Sequence, residues 1–190
     1  MSRSYLPNLL SAARIGLMPV ALLVAVAGSR PWFVGLAAVA MLTDALDGFF
    51  ARRLNAFSEL GRKLDSAGDY LTMITGTAGI ALLWPEHMRR ELPWVIAGFA
   101  AFLVVLIYGA VACGRVLTYH TWLAKIGTLG CAVSLIPLLL DWAIAPFHVM
   151  ISVQIGAAVE VIAISRLVPQ FTGEIPTLLH AWRERKRARR

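Results

Sequence analysis

Asp44-Ala45-Leu46-Asp47-Gly48-Phe49-Phe50-Ala51-Arg52 closes one apolar run of this chain, and Gly61-Arg62-Lys63-Leu64-Asp65-Ser66-Ala67-Gly68-Asp69 opens the next. Four aspartates thereby fall within 26 residues whose flanks are apolar enough to enter a bilayer. Ionisable groups in a membrane segment are costly and mark a functional site by default. Asp44 and Asp47 are three apart and share a helix face, as do Asp65 and Asp69, four apart. The link over residues 52–63 is short and polar, which predicts two antiparallel neighbouring helices with their carboxylates converging at one end. Four like charges repel unless something positive lies between them. One or two divalent cations are the simplest filler.

The rest of the chain is of one kind. It has 190 residues, 58% of them hydrophobic and 15% charged, with a mean hydropathy of +0.70. Soluble domains sit nearer half apolar and about a quarter charged. A span needs roughly 20 apolar residues, and six segments meet that length: 8–27, 32–51, 64–84, 92–113, 123–143 and 147–168. Pro19 and Pro137 lie inside two of them, where neighbouring helices can satisfy the freed carbonyls. The expectation is an all-α membrane protein of six transmembrane helices, with a catalytic domain at 1–171 and a tail at 172–190.

Basic residues set the orientation. Threading six spans from a cytoplasmic N-terminus puts 15 of the 18 Lys and Arg on one side, leaving only Arg30, Arg89 and Arg90 on the other. Basic residues near span ends prefer the cytoplasm. Both termini and the four aspartates are therefore expected on the cytoplasmic face of a bacterial-type inner membrane. Ala25-Val26-Ala27 looks like a signal-peptidase site, but Arg14 interrupts the run before it, so the first segment is expected to be retained. Cys113 and Cys131 lack CxxC spacing and read as small hydrophobes.

Two plainer explanations of the aspartates compete with a metal site. Helix capping could account for Asp65 and Asp69, which lie in first turns, where negative charge is favoured. It fails for Asp44 and Asp47, which lie in last turns, where that charge is disfavoured. Ion pairing with Arg52, Arg53, Arg62 and Lys63 is chemically open, although those side chains could equally snorkel to headgroups. An all-oxygen set without His or Cys suits Mg2+ or Mn2+. Magnesium held by a few carboxylates completes its shell with water and phosphate oxygens, so the site reads as built for a metal-bridged diphosphate. Arg52, beyond Asp47, could take a phosphate oxygen.

Asp44, Asp47, Gly48, Ala51, Arg52, Gly61, Asp65 and Asp69 together resemble the full signature of the CDP-alcohol phosphatidyltransferases. The opening Leu6-Pro7-Asn8-Leu9-Leu10-Ser11-Ala12-Ala13-Arg14 is similar to the start of phosphatidylglycerophosphate and cardiolipin synthases in that family. The resemblance implies a six-helix fold of that family's kind. It also implies attack of an alcohol hydroxyl on a CDP-linked lipid, chiefly CDP-diacylglycerol, with release of CMP. By position, Asp44, Asp47, Asp65 and Asp69 would hold two Mg2+ or Mn2+ ions, with Asp69 also the general base. Asp44, Gly48, Ala51, Arg52, Gly61 and Asp65 would form the CDP pocket, and the protein would be a homodimer.

The acceptor alcohol is less legible. Glycerol 3-phosphate or another polar alcohol fits, yet Tyr70 stands where phosphatidylglycerophosphate synthases typically carry a lysine. Their Gly-Lys-x-Lys-Thr run is replaced by Thr118-Tyr119-His120-Thr121-Trp122-Leu123-Ala124-Lys125. Arg115, His120 and Lys125 read either as a cationic acceptor subsite or as loop residues touching lipid phosphates. Asp141 reads as solvated, Glu160 as pairing with a neighbouring helix or lining a cavity, and His87 and His148 as incidental. Six of the last eight residues are Arg or Lys, which suits an anionic lipid surface rather than nucleic acid. A divalent-cation transporter using the aspartates is the alternative function. Transporter sites, however, tend to lie at the midplane between internal repeats, and no repeat is visible in this chain.

Overall fold

The computed structural model describes residues 5–53, 59–114, 121–168 and 177–188. All the described regular structure is helical: α1 Tyr5–Val26, α2 Arg30–Arg53, α3 Glu59–Leu83, α4 Pro85–Cys113, α5 Trp122–Leu139, α6 Ala145–Leu167 and α7 Leu178–Ala188. The first six coincide with the six apolar segments. The largest departure is at α4, which starts seven residues before its apolar run because Pro85 is well suited to a first helical position. Among the described residues, four helices are long and apolar enough to cross a membrane: Asn8–Val26, Pro85–Cys113, Trp122–Leu139 and Ala145–Leu167. Helices α2 and α3, which carry the aspartates, are not among them.

Two compact units divide the chain, residues 1–88 and 89–190. In the first, α1 packs along both α2 and α3, which touch each other over a shorter stretch. The buried face of α1 is Ser11, Arg14, Met18, Ala21 and Ala25, alternating three and four residues apart as a single helical stripe requires. Its C-terminal part, Ala21 and Ala25, is small, which lets neighbouring backbones approach closely. Its polar part, Ser11 and Arg14, points into the same interface.

The α1–α2 turn is fixed locally. Gly28 adopts φ 81°, its N–H donates to Ala25 O at 3.0 Å, and Ser29 N–H donates to Val24 O at 3.2 Å. This pair of bonds ends a helix on a left-handed residue, where glycine avoids the Cβ penalty. At the far end of α3, Arg30 Nε donates to Leu83 O at 2.9 Å, and its guanidinium lies 5.0 Å from the Trp84 ring centroid. A cation there satisfies a terminal carbonyl.

In the second unit, α5 packs on α6 and α6 on α7. Leu138, Phe147 and Ile151 form one core cluster, covered by Trp94, Val95, Cys131, Leu135 and Ile155. Thr121 caps α5, its hydroxyl accepting from Ala124 N–H at 3.2 Å. Buried Glu91 accepts from Arg90 Nε at 2.9 Å and shares a 2.6 Å hydrogen bond with His148 Nε2. Trp94 stacks on that imidazole at 4.3 Å. His148 is thus a partner of a buried carboxylate rather than an incidental residue. Asp141 is exposed as expected, and it lies 3.7 Å from Arg90 Nη2.

Candidate functional site

Helix α1 supplies the centre of the site. Arg14 is 1% exposed, and its guanidinium reaches all four aspartates. Nη1 donates to Asp69 Oδ1 at 2.8 Å and also bonds Asp44 Oδ1. Nη2 donates to Asp65 Oδ1 at 2.9 Å and to the Asp65 carbonyl at 3.3 Å, and it stands 3.7 Å from Asp47 Oδ2. One turn earlier, Ser11 Oγ donates to Asp47 Oδ2 at 2.8 Å. The three-residue spacing of Ser11 and Arg14 places both on one face.

Helices α2 and α3 touch, as expected of neighbours, and α1 bridges their aspartates through Arg14. Ion pairing was weighed with Arg52, Arg53, Arg62 and Lys63; Arg14, which was not weighed as a partner, pairs with the aspartates. A signal was present: an arginine inside an apolar run, one turn from a serine. What spacing withholds is the identity of the helix that its face meets.

The carboxylates converge as expected. Oxygens of Asp44, Asp47 and Asp65 all lie within 4.8 Å of one another. Asp69 joins through Arg14 and has the most exposed side chain of the four, at 58%. Asp47 is buried, while Asp44 and Asp65 are half exposed. The cluster is therefore walled on one side and open on the other. Among the described ion pairs of the cluster, one guanidinium against four carboxylates leaves a formal excess of three negative charges. An all-oxygen donor set with that excess and an open side fits a hard divalent cation that keeps water and phosphate oxygens in its shell.

Gly61 lies in the first turn of α3 and is half-buried. Of Gly48, Ala51 and Arg52 only the helical backbone is described, and Arg115 and His120 lie outside the described residues. Lys125 lies on α5 in the second unit, its Nζ 5.5 Å from the Trp122 ring centroid. Glu160 Oε1 accepts from Leu178 N–H at 3.1 Å, at the start of another helix, the first of the two readings given for it.

A family model, CDP-alcohol phosphatidyltransferase, matches residues 4–164, a stretch that includes Ser11, Arg14 and all four aspartates. The chain belongs to the CDP-alcohol phosphatidyltransferase family. With its apolar helices, that makes it a multi-pass membrane protein. Similar proteins include a cardiolipin synthase (CMP-forming) of Streptomyces coelicolor, 34% identical over 54% of this chain and 49% of its own length. A human cardiolipin synthase (CMP-forming) is 32% identical over 54% of this chain and 34% of its own. A CDP-diacylglycerol–glycerol-3-phosphate 3-phosphatidyltransferase of Rickettsia typhi is 31% identical over 65% of this chain and 69% of its own. The chain thus spans about half the length, or less, of the cardiolipin synthases it matches. No solved structure matches.

Proposed function

We propose that this protein transfers a phosphatidyl group from CDP-diacylglycerol to an alcohol and releases CMP, in phospholipid synthesis. Its fold would be six transmembrane helices, α2 and α3 included, with the aspartates and both termini on the cytoplasmic side. Homodimerisation is proposed from the family resemblance. The single observation carrying the activity is the convergence of Asp44, Asp47 and Asp65 on one cationic centre.

Asp44, Asp47, Asp65 and Asp69 would hold two Mg2+ or Mn2+ ions, which when bound neutralise the diphosphate and stabilise the departing CMP oxygen. Ser11 fixes the rotamer of Asp47. Asp69, outside the tight trio and open to solvent, takes the proton of the acceptor hydroxyl. A base must lie within hydrogen-bond reach of that proton, and exposure permits the approach. The acceptor oxygen bonds to the phosphorus bearing diacylglycerol, and the bond from that phosphorus to the bridging oxygen of CMP breaks. Gly48, Ala51 and Gly61 allow close approach of the nucleotide, and Arg52 takes a diphosphate oxygen.

For the acceptor, likeness to cardiolipin synthases favours phosphatidylglycerol. Making cardiolipin and CMP from CDP-diacylglycerol requires it by atom balance. Tyr70 in place of a lysine beside Asp69 agrees with an acceptor other than a small phosphomonoester. Glycerol 3-phosphate is the second reading, favoured by the Rickettsia relative, and Arg115, His120 and Lys125 would then form its subsite. The test is CMP release from CDP-diacylglycerol with each acceptor in turn. Turnover with phosphatidylglycerol alone supports the first reading and turnover with glycerol 3-phosphate alone the second. Cation flux into liposomes without CMP formation would favour a transporter.

A further inference from the structure

Arg14 sits among the carboxylates that would hold a divalent ion. Its two terminal nitrogens occupy the space between Asp44, Asp47, Asp65 and Asp69. Oxygens of the first three lie within 4.8 Å of one another. A small divalent ion bonds oxygen at about 2.0–2.1 Å, so an ion shared by these carboxylates falls among the nitrogens that already reach them. Two cations cannot use the same lone pairs at that range.

The arginine is also incompletely satisfied. A guanidinium carries five N–H donors, and Nε is buried without a hydrogen-bond partner among the described residues. On that side, a Cβ added at Gly68 would stand 2.8 Å from Nε, so the α3 backbone presses against the side chain. An arginine with a fixed structural role normally has its buried donors paired. This one spends its terminal nitrogens on the cluster and nothing on Nε. It is held by charge, and a stronger charge could displace it.

We propose that Arg14 is an internal counter-cation that competes with the divalent ion for the four aspartates, holding the carboxylates together and yielding them when the ion binds. This rests on the divalent-site reading of the proposed function. It makes Arg14 the residue that sets how much free divalent ion the enzyme needs.

The test is Mn2+ binding to the full-length protein in nanodiscs, followed by electron paramagnetic resonance for wild type, R14A, R14K and D44N. Expected is binding about tenfold tighter in R14A than in wild type, a smaller gain in R14K, and loss in D44N. Free guanidinium should weaken Mn2+ binding to R14A, returning it toward wild type. Tetramethylammonium at equal ionic strength should not, which separates shared occupancy from long-range repulsion. Equal or weaker binding in R14A, or no distinction between the two added cations, overturns the competition. If R14A does not accumulate, equal or weaker binding in R14K overturns it. Absence of D44N-sensitive binding in every variant overturns the divalent-site reading as well, so the two failures are distinguishable.

Discussion

Gly68 lies against Arg14, so that a Cβ at position 68 would stand 2.8 Å from Nε and 3.0 Å from Cζ. The far end of an arginine can usually move aside, but this one is tied to four carboxylates. Gly68→Ala is therefore expected to destabilise the protein by about 1–3 kcal/mol, the range for overfilling a packed site. Gly76→Ala on the same helix meets nothing within 4 Å and is expected to be neutral or to stabilise by up to about 1 kcal/mol through helix propensity. Denaturant unfolding in detergent measures both. Equal effects at the two positions would mean that Arg14 is not pinned.

The aspartates should divide by role. Asp44→Asn, Asp47→Asn and Asp65→Asn are each expected to abolish Mn2+ binding and CMP release together. Asp69→Asn is expected to lose CMP release at least a hundredfold while still binding Mn2+, since general acid–base catalysis contributes about 10²–10⁴-fold. If CMP release by Asp69→Asn stays near wild type with the ion bound, another group is the base.

Ser11 donates to a buried carboxylate, a bond worth about 1.5–3 kcal/mol. Ser11→Ala leaves Asp47 with its 3.7 Å ion pair to Arg14 but without this hydrogen bond, and is expected to lower CMP release about tenfold, with Ser11→Thr retaining most of it. Initial rates at saturating Mn2+ decide this, and an unchanged Ser11→Ala rate would remove Ser11 from the site.

The Glu91–His148 pair is expected to matter for stability alone. His148→Ala removes one of two charged-group hydrogen bonds to a buried carboxylate, so a loss of about 1–3 kcal/mol is expected. CMP release per folded molecule should be unchanged. A selective loss of turnover would give this pair a part in the reaction.

The tail offers a surface for anionic lipid. Ala181 is buried against Val161 and Ile164. Leu179, Trp182, Arg183 and Lys186 are exposed, and Lys186 lies 5.2 Å from the Trp182 ring centroid. A nitroxide on Leu179→Cys, with Cys113→Ser and Cys131→Ser, should lose access to a water-soluble relaxing agent when nanodiscs change from phosphatidylcholine to phosphatidylserine. Adding Arg183→Glu and Lys186→Glu should abolish the change. A label insensitive to lipid charge throughout would mean that the tail does not read it.

Much of this was legible in the chain because it is local. Helix periodicity and apolar length placed six helices, and the spacing of Asp44 with Asp47 and of Asp65 with Asp69 put each pair on one face. Residues that meet across 30 to 57 positions were not legible. Ser11 and Arg14 share a face by their spacing, yet nothing local says that this face meets Asp47 or Asp69. His148 was passed over for the same reason, since its partner Glu91 lies on another helix. Spacing orders residues on one cylinder, and the choice of neighbouring cylinder is made by packing.

The most direct measurement is CMP release by the purified chain in nanodiscs containing CDP-diacylglycerol, with phosphatidylglycerol or glycerol 3-phosphate added in turn. Expected is CMP formed together with the matching phospholipid, abolished by chelation, restored by Mg2+ or Mn2+, and absent in Asp65→Asn. CMP formation that survives both chelation and Asp65→Asn would contradict a metal-holding role for the aspartates. No CMP with either acceptor, from folded protein with the ion bound, would contradict the transfer itself.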